Sequence, residues 1–270
     1  MQGSTVSFVK ALDSTHSKTT PSTVAVWGSA ELPDTCEAKT VLRIEDGFLR
    51  SSGLGADLVR PLSLVIDDVG IYFDATRPSR LEYILQNNAF DTPATKRARA
   101  LCERLTQLDL TKYNLGKQSW TRPETDQTVL LVVGQVETDA SIRLGSPDIK
   151  SNLKLLRRVR QEHPSAYIVY KPHPDVVAGL RKKGQGEEEC CKIANEVLTQ
   201  PVALSSLVTQ VDEVHTMTSL LGFEALIRGA KVVCHGLPFY AGWGLTEDKL
   251  PCPRRTRRLT LDELIHGALI

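Results

Sequence analysis

No stretch of this sequence stays apolar long enough to cross a bilayer. TVLLVV at 128–133 is typical of its longest apolar runs, whereas a spanning helix needs about 20 such residues. An excess of one charge sign is also missing. The net charge is +1, so there is no global electrostatic case for nucleic acid as a partner. The first twenty residues, MQGSTVSFVKALDSTHSKTT, lack the basic-then-apolar order of a secretory signal. Cysteine is sparse, at positions 36, 102, 190, 191, 234 and 252, without paired CxxC spacing. That pattern excludes a disulfide scaffold and offers no cysteine framework for zinc. The thiols read as reduced, the chain as cytoplasmic, and no metal site is expected.

What is present is alternation. Apolar residues make up 41% of the 270, enough for the core of one large or two modest domains. STVAVWG (22–28), TVLRIED (40–46) and LSLVID (62–67) read as buried strands, with GIYFD (70–74) pairing back onto LSLVID across a short turn. SRLEYILQN (79–87) reads as a helix capped by Ser79, and residues 94–110 as another with Leu101, Leu105 and Leu108 on one face. GKQSWTRPETDQ (116–127) is polar and aperiodic, which marks a linker. A second alternating set follows: strands at 128–135, 166–172, 211–216 and 231–236, helices at 149–163, 219–229 and 261–269. The expected organisation is an irregular leader over 1–21, a lobe over 22–118 and a lobe over 119–270. The fold class is α/β, two Rossmann-type lobes facing a cleft, with ligands beyond the carboxyl ends of the strands.

Several motifs fall at those strand ends. KPHPDV (171–176) holds His173 between two prolines that restrict the backbone. A stiffly held imidazole suits an anion; an ordinary turn histidine is the plainer reading. HTMTSLLGFEALIRG (215–229) runs from a strand into a helix, with Thr218 and Ser219 at the helix start. Unpaired N–H groups, the helix dipole and two hydroxyls make a phosphate site there. Glu224 lies one to two turns on, where a carboxylate can take ribose hydroxyls. The plainer reading is simple capping and a solvated glutamate. IEDG (44–47) ends a strand with two acids and a glycine, so Glu45 or Asp46 is either a base or nucleophile, or an acidic strand end facing water. GQVETDAS (134–141) places Glu137 and Asp139 at another strand end. In IDDVGIYFDATRPSR (66–80), Asp67 and Asp68 read as turn formers and Arg77 as a partner for Asp74. Phe239, Tyr240 and Trp243 either wall a base or sugar or pack beneath their loop. RRTRR (254–258) reads first as a solvated face, with attraction to anionic lipid as the sharper alternative.

Taken in order, EDGFLRSSGLG, PLSLVIDDVGIYFDATRPSRLE, GQVETDASI, YKPHPDV, VDEVHTMTSLLGFEALIRG and PFYAGWGLT resemble the capsule polysaccharide β-Kdo transferases of Gram-negative bacteria, of KpsC type, across residues 23–270. Those proteins typically carry two transferase modules, and the wording here is similar to the second. The resemblance implies a GT-B fold and retaining β-Kdo transfer from CMP-Kdo without a cofactor. It implies an acceptor made of lipid-linked Kdo on phosphatidylglycerol. The expected place is the inner face of the cytoplasmic membrane, beside other capsule-assembly proteins. The chain is also similar to bacterial sialyltransferases in its acidic-acidic-Gly, HP and Ser/Thr motifs, which fall on Glu45-Asp46-Gly47, His173-Pro174 and Thr218-Ser219. By that likeness His173 binds the CMP phosphate, and Arg50 or Arg77 holds the Kdo carboxylate. The nucleophile stays open among Glu45, Asp46, Glu137 and Asp139.

Two departures stand out. Gly134 occupies a position where the companion module is expected to carry an aspartate. The N-terminal lobe is short, so a truncated acceptor side is expected. Two alternatives accompany this reading: a CMP-binding scaffold remnant, and a nucleotide-sugar epimerase that prefers UDP.

Overall fold

The computed structural model describes residues 22–32, 34, 36–54, 59–116 and 118–270; the leader expected over 1–21 lies outside the described residues. The first three strands form a small sheet. Strand β1 (Thr23–Trp27) runs parallel to β2 (Thr40–Asp46), and β3 (Leu64–Asp67) runs antiparallel to β2.

This sheet departs from expectation in two ways. The segment 70–74 is not a strand, and β3 pairs with β2 instead. Asp67 explains why. Its Oδ1 accepts from the Val69 and Gly70 amides, each at 2.8 Å, and its Oδ2 accepts from the Arg80 amide at 2.8 Å. The carboxylate folds the chain sharply towards the next helix, so residues 70–74 leave the sheet. Nor is β3 buried: Leu64 is 49% exposed and Ile66 58%. Alternation puts Leu64 and Ile66 on one face with Trp27, and no described element covers that face.

Helix α1 (Arg80–Asn87) is capped by Ser79, whose hydroxyl accepts from the Glu82 amide at 3.1 Å. Helix α2 (Thr92–Gln107) is capped by Asp91, with a proline in its first turn. The linker segment is no loose tether. Trp120 is buried within it and donates to Glu196 Oε1 at 2.9 Å, so one large aromatic anchors a strap across the second half.

The second half holds β4 (Val129–Val133), α3 (Ala140–Gly145), α4 (Asn152–Glu162), β5 (Tyr167–Lys171), α5 (Pro174–Val177), α6 (Glu187–Ile193), β6 (Glu196–Val197), α7 (Leu204–Val208), β7 (Glu213–Thr216), α8 (Leu220–Ile227), β8 (Val232–Cys234), β9 (Glu247–Asp248) and α9 (Leu261–Leu269). Its strands form one parallel sheet in the order β6-β5-β4-β7-β8-β9. The chain winds outward from β4 to β6, then returns to β7 on the other side. That reversal between β4 and β7 is the topological switch point of a dinucleotide-type α/β fold.

Every residue of β4 is buried, as a central parallel strand requires. Leu130, Val132, Ile168 and Tyr170 pack with Leu155, Leu156 and Val159 of α4. Val129, Leu131, Val133, Val214 and Val232 pack on the opposite face with Phe223 of α8, Leu264 of α9 and Leu85 of α1. Helices α1 and α2 thus cover the large sheet together with α9, although they precede it in the chain. The basic run 254–258 secures this arrangement. Arg254 and Arg255 both pair with Glu82 of α1, at 2.6 and 3.0 Å, and Arg257 pairs with Glu263 at 2.7 Å.

Candidate active site

A cleft of about 1450 Å³ separates the small sheet from the carboxyl ends of β4, β5 and β7. Glu45, Asp46, Asp139, His173, Thr218, Ser219 and Glu224 all line it. The structure therefore gathers residues that are more than 170 positions apart in the sequence, for a simple reason. Each follows or ends a strand, or opens a helix, at the same edge of its sheet, except Glu224, which lies a turn into α8.

On the small-sheet side, β2 ends in Glu45 and Asp46. Gly47 follows because nothing larger fits: a Cβ there would sit 2.1 Å from Ser63 Oγ. Asp46 Oδ2 is held by the Arg50 guanidinium, while Asp46 Oδ1 is buried without a hydrogen-bond partner among the described residues. Burial raises the Glu45 carboxyl above its ordinary value, although its bond from the Asp46 amide at 3.0 Å pulls the other way.

Opposite stand the loops of the switch point. Gln135, just past β4, accepts from the Thr218 amide at 2.8 Å and donates to Thr218 Oγ1 at 3.0 Å. Ser219 caps α8 by accepting from the Leu221 amide at 3.2 Å. His173 caps α5: its Nδ1 accepts from the Asp175 amide at 3.2 Å. That bond fixes the tautomer, because a ring whose Nδ1 is an acceptor carries its proton on Nε2. Burial, then the charges of Lys112, Arg181 and Lys171, lowers the imidazole to about 4. His173 is a neutral N–H donor in this cleft, not a cation.

The capsule polysaccharide biosynthesis protein family matches residues 34–114 and 94–270. The chain belongs to this family. Among capsule-family relatives, LipA of Neisseria meningitidis serogroup B, a capsule polysaccharide modification protein, is 59% identical over 230 residues. The match covers 85% of this chain and 32% of LipA. LpsZ of Rhizobium meliloti, a lipopolysaccharide-processing protein, is 45% identical, covering 93% of this chain and 59% of LpsZ. The chain thus spans about a third to three fifths of the curated relatives' length. Two solved domains of Thermosulfurimonas dismutans KpsC are similar throughout. The β-Kdo 2,4 transferase has a TM-score of 0.83 at 38% identity, covering 92% of this chain and 79% of that one. The β-Kdo 2,7 transferase has a TM-score of 0.75 at 43% identity, covering 92% and 75%. The GT-B-like, KpsC-type architecture expected from the motifs is therefore present.

Of the other residues singled out in this capsule-family chain, Gly134 and Phe239 line the cleft, whereas Glu137, Arg50, Arg77, Tyr240 and Trp243 stand away from it. Glu137 accepts from the Asn152 amide at 2.8 Å and the Gln185 amide at 3.1 Å, bracing the start of α4. Arg50 is buried against Asp46 and Ser51. Arg77 pairs with Asp74 at 2.9 Å, as its sequence neighbourhood suggests. Phe239, Tyr240 and Trp243 are buried packing, with Phe239 alone reaching the cleft wall and stacking on Phe48 at 4.6 Å. At Gly134, a Cβ would lie 2.8 Å from the Tyr170 hydroxyl and 3.0 Å from Pro172 Cα. An aspartate there requires β5 to shift.

Sequence reasoning missed the cations. Lys112, Lys171 and Arg181 line the cleft. Arg181 pairs with Asp139 at 2.7 Å, while burial raises the Asp139 carboxyl. Lys112 lies 5.1 Å above the Tyr113 ring. Burial opposes its charge, yet Tyr113, Tyr72 and Asp46 keep the ammonium above its ordinary value. Its own amide donates to Glu224 at 2.6 Å. Burial pushes Glu224 up to about 7 against that bond and the charges of Arg228 and Lys112. The signal for Lys112 was faint. Asp109 and Asn114 adopt left-handed backbone at φ 47° and 52°, turning the segment back over the cleft. Only the loss of helical period before Asn114 hints at that turn.

Proposed function

We propose that this chain carries the donor site and catalytic cleft of a retaining β-Kdo transferase that uses CMP-Kdo. The observation that carries this reading is the convergence at the switch point. His173 Nε2–H, the Ser219 helix start and the Gln135–Thr218 pair face Glu45 and Asp46 across one cleft. The first group offers donors to a single departing phosphate, and the second offers carboxylates to the sugar carbon. One phosphate on CMP is a modest charge to stabilise, so the transfer is proposed to need no cofactor.

Retention requires a carboxylate that bonds to the sugar and a second group that moves a proton. Asp46 is proposed as the nucleophile, because it lines the cleft and its buried Oδ1 has no hydrogen-bond partner among the described residues. Glu45, held towards its protonated form by burial, is proposed as acid and base. Lys112 replaces Arg50 and Arg77 as the proposed holder of the Kdo carboxylate, since it lines the cleft and they do not. Glu224 is proposed to take the ribose. The lipid-linked Kdo acceptor, the inner-membrane location and contact with other capsule-assembly proteins rest on the family alone.

A second reading has its own support. The small sheet has three described strands and an uncovered apolar face, which suits a chain that binds CMP without turnover. Calorimetric titration with CMP and with UDP, beside a CMP-Kdo transfer assay, separates these readings. CMP-selective binding with transfer supports the enzyme; binding without transfer supports the remnant; UDP preference overturns both. Losing one hydrogen bond to a charged group costs about 1.5–3 kcal/mol, so His173→Ala is expected to weaken CMP binding roughly 10- to 150-fold.

A further inference from the structure

A second group of chemistry-bearing side chains lies on the α4 side of the large sheet. Glu213 and His215 are two apart on β7, so both side chains leave the same face. His163, which ends α4, meets them there. One donor atom from each of the three lies within 4.8 Å of the other two. His215 Nε2 and Glu213 Oε2 are 3.1 Å apart, close to the roughly 3.3 Å between two ligands on a tetrahedral zinc with bonds of about 2.0–2.1 Å.

The surroundings complete the pattern. The other ring nitrogen of His215 faces His235 Nε2 at 3.2 Å. If His215 Nδ1–H donates to His235, Nε2 presents its lone pair to the cluster, the second-sphere arrangement that orients a ligating imidazole. In this tautomer His215 keeps its one ring proton on Nδ1, so a metal bound at Nε2 leaves the ring neutral. His215 and His235 are buried, and His163 and Glu213 are half-buried, which leaves access from solvent. Lys231 holds the other carboxylate oxygen, Glu213 Oε1, at 2.7 Å and leaves Oε2 towards the histidines. The His163 ring stacks edge-on against His215, 5.5 Å between centroids, and its nitrogens make no hydrogen bond among the described residues.

We propose that His163, Glu213 and His215 form a binding site for one zinc-class divalent ion, which ties the end of α4 to β7. It lies on a strand start, away from the cleft, and is independent of the transfer reaction.

The test is titration of the tag-free, chelator-treated chain with zinc sulfate, followed by calorimetry and thermal unfolding. One zinc per chain and a zinc-dependent rise in Tm are expected. His163→Ala and Glu213→Gln are each expected to weaken zinc by about 10- to 100-fold or more. Cobalt in wild-type chain is expected to give tetrahedral absorption bands without a thiolate charge-transfer band. That spectrum needs no variant and separates this site from the six cysteines. Absence of zinc binding by folded wild type, unchanged affinity in folded His163→Ala, or a thiolate band overturns the proposal.

Discussion

Glu224 is the cleft residue whose charge changes nearest neutral pH. Its folded carboxyl sits at about 7 against an ordinary 4.5. The unfolded chain therefore releases this proton first, and stability falls as pH rises from about 4.5 to about 7. Glu224→Gln keeps an acceptor for the Lys112 amide and removes that titration. The variant is expected to be more stable than wild type at pH 8, on the order of 2 kcal/mol, with no gain at pH 4. Urea midpoints at the two pH values check this. His173 offers a second comparison. Under the proposed role as a neutral donor to CMP, His173→Gln, which retains an N–H, is expected to weaken CMP binding less than His173→Ala does. Equal losses would point to shape or charge instead. Lys112→Met is expected to raise the KM for CMP-Kdo about tenfold or more, with a smaller effect on CMP alone, because it removes the proposed carboxylate contact. The acids, histidine and hydroxyls of the cleft were legible in the sequence because they sit in strand-end motifs. Lys112 and Gln135 were not, since their importance comes from what folds opposite them.

At the scale of elements, two junctions decide the geometry. Gly47 lets β2 pass against Ser63 and so sets the direction of Asp46. Gly47→Ala drives a Cβ into Ser63 and is expected to cost about 1–3 kcal/mol and to depress transfer beyond its effect on Tm. The second junction is Glu82, which faces Arg254 and Arg255. Glu82→Gln leaves the buried Arg255 short of its counter-charge and is expected to cost about 3 kcal/mol in denaturant unfolding. Helices α1, α2, α4, α8 and α9 were readable from local apolar spacing and, for α1 and α8, from Ser79 and Ser219 at their starts; α2 nevertheless ends at Gln107, short of the expected 110, and leaves Leu108 exposed. The segment 70–74 misled because its apolar residues mimic a strand. Asp67 instead turns the chain away, and β2 supplies the pairing that β3 needs.

For the whole molecule, the contrast between the two sheets matters most. The large sheet is covered on both faces, whereas the small one shows Trp27, Leu64 and Ile66 to solvent. An open apolar edge strand is a site of self-pairing. Ile66→Lys is accordingly expected to reduce light scattering at high protein concentration without lowering Tm. The sequence by itself determined the α/β class, the four longer strands of the large sheet with the helices α4, α8 and α9, and the strand-end motifs, because hydrophobic period acts over a few residues. Tertiary structure alone decided which strand pairs with β2 and which arginines are consumed by Asp46 and Glu82. It also brought Lys112 over the cleft and gathered His163, Glu213 and His215. Those outcomes depend on contacts between distant segments, and their energies exist only once the chain has closed on itself.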